Sequence, residues 1–239
     1  MEDQLILYTY WRSSCSWRVR LALEYKNIPY KSEFVHLLGN QQNSESYSKL
    51  NPFHQIPCLV IPKLGASLTQ SVAIMEYLDE SLDTELDLSQ LSLDAQTKAS
   101  RKFLCYPGTA LQRAHIRSIV ECINSGIQPL QNLSVLNKVS DLPDKRNEWA
   151  KFWIEKGLVA LEAIVASTCG LYCVGDLISA ADFCLLPQLY NARRFNVDMN
   201  LFPTLVLIES RLVTLDFVIR AHPDSQLDAN VPWNPPSST

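Results

Sequence analysis

The chain has 239 residues, 47% hydrophobic and 19% charged, with a formal net charge of -4. That length is enough for one large core or two small ones, and the acidic balance argues against general binding to nucleic acid or an anionic membrane. No apolar run approaches a membrane span, the start Met1-Glu2-Asp3-Gln4 lacks a signal-peptide pattern, and seven scattered cysteines without a Cys-x-x-Cys pair read as reduced thiols in a cytosolic protein rather than as disulfides or a zinc site.

The first third alternates element types. Leu5 to Tyr10 reads as a buried strand, and Ser14 to Lys26 as a helix ending before Asn27-Ile28-Pro29. Tyr30 to Val35 is a second strand, and a short helix fits Ser44 to Leu50. Cys58 to Ile61 is a β-rich run, followed by a turn over Pro62 to Gly65 and a strand over Ser67 to Thr69. Ser71 to Glu80 is helical, with Ile74, Tyr77 and Leu78 on one face and Glu76, Asp79 and Glu80 on a solvated one. A parallel βαβ pair followed by a hairpin makes a mixed sheet with helices on its faces.

Composition then shifts. Residues 1–82 form one domain, 83–93 a linker rich in Asp, Ser and Leu, and 94–230 a helical domain; the proline-rich tail 231–239 is flexible. Asn147 to Ser167 is the clearest helix, with Leu158, Leu161, Ile164 and Val165 on one face and with Trp149, Phe152 and Trp153 assigned to the core. Ser179-Ala180-Ala181-Asp182 is a capping-box start, with Asp in place of Glu, and Pro203 to Val218 reads as another helix. His36, His54, His115 and His222 are too widely spaced to form a metal-ligand pattern.

Three places carry chemistry. The run Tyr10-Trp11-Arg12-Ser13-Ser14-Cys15-Ser16-Trp17-Arg18 places hydroxyls and a thiol where a strand turns into a helix, and a helix N-terminus favours an anion. Asn51-Pro52-Phe53-His54-Gln55-Ile56-Pro57 precedes the third strand. Ile56-Pro57 is a candidate cis peptide whose backbone groups pair with a peptide-like ligand; the alternative is an ordinary trans proline at a strand start. Gln70-Ser71 opens a helix, where Ser71 is either an N-cap or a carboxylate-binding hydroxyl. These three fit a thiol, a cysteinyl amide and a γ-glutamyl carboxylate, the parts of glutathione.

The arrangement resembles the glutathione-transferase fold, an α/β thioredoxin-like N-terminal domain followed by an all-α C-terminal domain. Ser13 to Arg20 together with Gln128-Pro129-Leu130-Gln131-Asn132-Leu133-Ser134 looks more narrowly like the zeta class, whose members are known as maleylacetoacetate isomerases. Tyr172 to Asp176 and Asn191 to Phe195 match as well, so the resemblance covers nearly the whole chain. It implies glutathione-dependent cis–trans isomerisation of maleylacetoacetate to fumarylacetoacetate, in tyrosine and phenylalanine catabolism. It implies catalytic roles for Ser13, Ser14 and Cys15, with Ser13 donating to the thiolate. It also implies glutathione contacts from Ser13, Ser14, Cys15, Ser16, Trp17, Arg18, Gln42, Ile56, Gln70, Ser71, Gln128, Asn132, Leu133 and Ser134. Arg194 would meet the substrate carboxylate; the other reading of Arg194 is an ion pair with Asp198 or Glu209. Arg18 reads equally well as solvated on the helix face, and Arg20 better so. The implied partners are a small-molecule substrate and a second copy in a homodimer, with no nucleic acid and no membrane. The implied location is cytoplasmic, with the mitochondrion as the alternative.

One stretch departs from the class. Residues 100–112 look like an insertion where the first helix of the second domain should run, and Pro107-Gly108 predicts a break or an extruded loop there. The alternatives to the isomerase are therefore a general glutathione transferase (conjugation, α-haloacid dehalogenation, weak peroxidase) and a glutathione-binding protein whose catalysis the insertion impairs. A Cys15 thiol–disulfide reductase is a further alternative; it lacks a second cysteine between Ser13 and Ser16.

Overall fold

The computed structural model describes residues 4–81 and 105–229. The predicted linker, most of the start of the insertion and the proline-rich tail lie outside them. The described chain forms two compact units, one from residues 1–105 and 214–239 and the other from residues 106–213.

In the first unit the elements are β1 (Leu5–Thr9), α1 (Ser14–Tyr25), β2 (Tyr30–Phe34), α2 (Glu45–Leu50), β3 (Cys58–Ile61), β4 (Ala66–Thr69) and α3 (Ser71–Glu80). The sheet order is β2-β1-β3-β4; β1 and β2 are parallel, and β1–β3 and β3–β4 are antiparallel. This is the mixed sheet expected of a thioredoxin-like domain. Along β1 the side chains alternate, with Leu5, Leu7 and Thr9 buried and Ile6 and Tyr8 half-buried. Tyr8 and Val60 pack in a cluster with Tyr10, Ile56 and Tyr47 of α2.

Helix α1 is buried continuously from Ser16 to Leu23. It packs against α3 and against a later helix, Asp216–Ala221, that belongs to the same unit. Arg18 and Arg20 are therefore enclosed, at 1% and 0% exposure, and neither lies on a solvated face. The solvated reading of α3 also fails at Asp79, which is 1% exposed. It pairs with the fully buried Lys26 at 2.5 Å and accepts the Cys105 N–H at 3.0 Å. A buried charge needs such partners.

The second unit holds α4 (Ala110–Asn124), α5 (Leu133–Val139), α6 (Pro143–Thr168), α7 (Ala180–Arg194) and α8 (Pro203–Leu212). Pro107-Gly108 breaks the chain as predicted, but Cys105 and Tyr106 are buried rather than extruded. Helix α4 starts immediately after, on a capping box in which Thr109 and Gln112 satisfy each other's backbone N–H. Gly108 has φ +88°, and a Cβ there would lie 2.5 Å from Gln112 Oε1, so the turn requires glycine. The predicted Ser179/Asp182 box is present, and Asp182 also accepts the Cys173 N–H at 2.9 Å. Burial raises the Asp182 pKa, and those hydrogen bonds pull it back.

Two expectations are corrected here. Phe152 is 59% exposed rather than core, while Trp149 and Trp153 are half-buried. Pro203 to Val218 is two helices, α8 and α9 (Asp216–Ala221), because the chain passes from the second unit to the first between Val213 and Thr214.

Candidate active site

The register of the sheet brings three chain segments to one end. Tyr8 of β1 is opposite Cys58 of β3, and Cys58 is opposite Thr69 of β4. Ser13 follows the end of β1, Ile56 precedes the start of β3, and Ser71 follows the end of β4. Antiparallel pairing therefore puts all three at the same edge.

Ser13 is the N-cap of α1, and its Oγ accepts the Ser16 N–H at 3.2 Å. Ser13 and Cys15 are half-buried, Ser14 is 9% exposed, and Ser16 and Trp17 are enclosed. Cys15 is a free thiol. Trp17 meets His222 edge-on, with ring centroids 5.1 Å apart. Cys58 also lies at this end, but burial pushes its thiol up to about 11, so it stays neutral near pH 7.

The loop before β3 is fixed from within. Tyr47 Oη and Asn51 Nδ2 both donate to the Gln55 carbonyl at 2.6 Å, and Asn51 Oδ1 accepts the Phe53 N–H at 3.0 Å. The Ile56–Pro57 bond is cis. Among the described residues the Ile56 N–H and carbonyl have no protein hydrogen-bond partner. Gln42, in the turn Gln41–Asn43, is half-buried, and its Oε1 is likewise enclosed without a partner among the described residues.

Ser71 is the first residue of α3 and not its cap. The cap is Gln70, exposed, with φ +71° and no side-chain cap hydrogen bond. A positive φ in a residue other than glycine costs about 1–3 kcal/mol and points to a site. The first helical amide to reach an intrahelical carbonyl is that of Ile74, at 3.0 Å from the Gln70 oxygen. The N–H groups of Ser71, Val72 and Ala73 are left as donors, with the positive end of the helix dipole behind them. Arg18 Nη1 donates to Ser71 Oγ at 3.2 Å, which ties α1 to this helix start.

Four sites expected in the second unit are locally ordered. Gln128, half-buried, opens the turn Gln128–Gln131. Asn132 caps α5, its Oδ1 accepting from the Ser134 N–H at 3.1 Å and the Ser134 hydroxyl at 3.0 Å. Leu133 is 40% exposed. Sequence reasoning missed the neighbouring Gln131, whose Nε2 donates to Gln188 Oε1 of α7 at 2.9 Å in a buried pair. Arg194 is exposed near the end of α7, its guanidinium 5.0 Å from the Phe195 ring centre. Of the two expected acids, Glu209 is bound by Arg193 and Asp198 caps the turn Met199–Leu201.

Residues 12–81 match the family described as Glutathione S-transferase, N-terminal domain. The maleylacetoacetate isomerase of Mus musculus is 44% identical over 225 residues, 93% of this chain and 94% of its own. That of Dictyostelium discoideum is 42% identical over 95% of this chain and 97% of its own. The chain belongs to the maleylacetoacetate isomerase family of glutathione S-transferases. A crystal structure of the maleylacetoacetate isomerase of Anaeromyxobacter dehalogenans 2CP-1, with GSH bound in its active site, is 38% identical. It matches with a TM-score of 0.79 over 95% of this chain and 98% of its own. The match to that structure covers residues of both units.

Proposed function

We propose that this chain catalyses the glutathione-dependent cis–trans isomerisation of maleylacetoacetate to fumarylacetoacetate. The observation that carries the reading is the row of amides at the start of α3 and at Ile56 that have no partner among the described residues, in a member of this family. Amides at a helix N-terminus suit a carboxylate, and a free N–H and C=O pair suits a peptide unit. These residues fit glutathione. Gln70, Ser71 and the α3 amides would hold its γ-glutamyl carboxylate, Ile56 its cysteinyl amide, and Gln42 a further polar group. Bound glutathione supplies a thiolate that adds to the cis double bond and leaves once the former double bond has rotated.

The chain's own part is to hold that sulfur ionised and the substrate oriented. Ser13 donates its hydroxyl proton in a hydrogen bond to the sulfur, while Ser14 and Cys15 line the same turn. Arg18 fixes Ser71 from behind. By the class resemblance, Arg194 would offer a planar fork to a substrate carboxylate, and Gln128, Asn132, Leu133 and Ser134 would contact glutathione. A homodimer and a cytoplasmic location complete the reading, both carried over from the class.

The test is isomerisation of maleylacetone, a simpler analogue of the substrate, with and without glutathione. Turnover that requires glutathione is expected. A folded protein that binds glutathione without turning over this substrate would overturn the reading, and sedimentation of the same sample tests the dimer.

A further inference from the structure

The peptide groups of Trp11 are held from two sides by residues far away in the chain. The Trp11 carbonyl accepts from Arg20 Nη2 at 2.9 Å. Its N–H donates to Asp228 Oδ2 at 2.9 Å, across 217 residues of sequence. Arg20 is fully buried, and its other bonds also go to neutral oxygens: Thr9 Oγ1 at 3.0 Å, Tyr10 O at 3.4 Å and Ala221 O at 3.1 Å. Asp228 is the carboxylate whose charge acts on it. Trp11 is two residues before Ser13, whose own N–H bonds back to the Tyr10 carbonyl at 3.0 Å. The turn that presents Ser13 is therefore suspended between a buried cation beneath it and an acid from the last described segment.

We infer that Asp228 is a positioning residue: by accepting the Trp11 N–H it fixes the turn that aims the Ser13 hydroxyl at the glutathione sulfur. The inference rests on the glutathione reading above. Asp228 touches no reacting atom and acts on the site through Trp11. Oδ2 of its carboxylate holds Trp11, while Oδ1 has no hydrogen-bond partner among the described residues. Its charge also acts on the buried Arg20, so the acid serves stability as well as the turn, and the kinetic readouts below separate the two roles.

Asp228→Ala and Asp228→Ser remove the acceptor or shorten it out of reach, whereas Asp228→Asn keeps an oxygen in place. The expected result is a fall in kcat of about tenfold in the first two, with KM for glutathione within about twofold and with kcat largely kept in Asp228→Asn. The pH at which bound glutathione ionises, read from the ultraviolet absorbance of its thiolate, should rise in the same two variants. Arg220→Gln is the control. Arg220 joins the same segment to Glu24 of α1 through a surface pair at 2.7 Å, away from the turn, and its loss should leave kcat unchanged. Four outcomes overturn the inference: wild-type kcat in Asp228→Ala, an equal fall in Arg220→Gln, an equal fall in Asp228→Asn, or loss of the fold in both acceptor-less variants. Failure of the wild-type protein to isomerise maleylacetone is a separate result, and it would count against the glutathione reading instead.

Discussion

At the scale of single residues, the site divides into groups that meet the ligand and groups that hold those in place. Ser13 belongs to the first set. Its Oγ accepts the Ser16 N–H and so keeps its proton free to donate. We predict that Ser13→Ala lowers kcat by about 10²–10³, the loss seen when one donor to a developing or resident anion is removed, while KM for glutathione changes little. Steady-state kinetics on maleylacetone read both, and unchanged kcat would remove Ser13 from the mechanism. Arg194 is tested by comparing substrates. Arg194→Ala should raise KM about 10- to 100-fold for substrates with a carboxylate, the worth of a charge-assisted hydrogen bond, and leave neutral electrophiles nearly unaffected. An equal effect on both classes would count against a carboxylate role.

At the scale of elements, what was legible in the sequence was local. The helix from Ser14, the strand Cys58 to Ile61, the helix Ser71 to Glu80 and the Ser179/Asp182 box all follow from residues close together in the chain. The Ile56–Pro57 candidate was also readable, since only a proline makes cis plausible. What the sequence hid depends on distant partners. Helix α1 is covered on nearly every side, so it has no polar face to betray Arg18 and Arg20 as buried. Asp79 lies at a position that would be solvated on an isolated helix, and only Lys26 and Cys105, 53 and 26 residues away, make it internal. That pair makes a prediction for the packing of α1 on α3. Asp79→Leu takes this carboxylate from the buried ammonium and Lys26→Met takes this cation from the buried carboxylate, so each should destabilise by about 3–5 kcal/mol. The double variant should be far closer to wild type than the sum of the two. Denaturant unfolding of the four proteins measures this, and additive losses would mean that the two charges do not depend on each other.

At the scale of the whole chain, the first unit is not one stretch of sequence. It is completed by residues 214 onward, after the 108 residues of the second unit have intervened. Local periodicity reads those residues as one more helix of the helical part, because membership of a unit is settled by packing and not by pattern. The returning segment brings His222 against Trp17, where burial and the nearby Arg20 charge lower the imidazole pKa from 6.5 to about 4. The folded state therefore holds His222 neutral over a range in which the unfolded chain has already bound its proton. Between about pH 6.5 and 4 the unfolded state carries more protons, so stability falls as the pH falls through that window, by up to about 3 kcal/mol from this group. Asp182, Asp224 and Asp228 have raised pKa values and act in the opposite direction, gaining stability as they protonate in the folded state. The His222 contribution is isolated by difference. His222→Asn keeps an acceptor for the Asp224 N–H that now bonds to Nδ1 at 3.2 Å, and it cannot protonate. Thermal unfolding of both proteins from pH 7 to pH 4.5 should show the wild-type midpoint falling more steeply, with the two curves converging as the pH drops. Parallel curves would mean that His222 takes up its proton equally in both states, and that the returning segment does not bury it in solution.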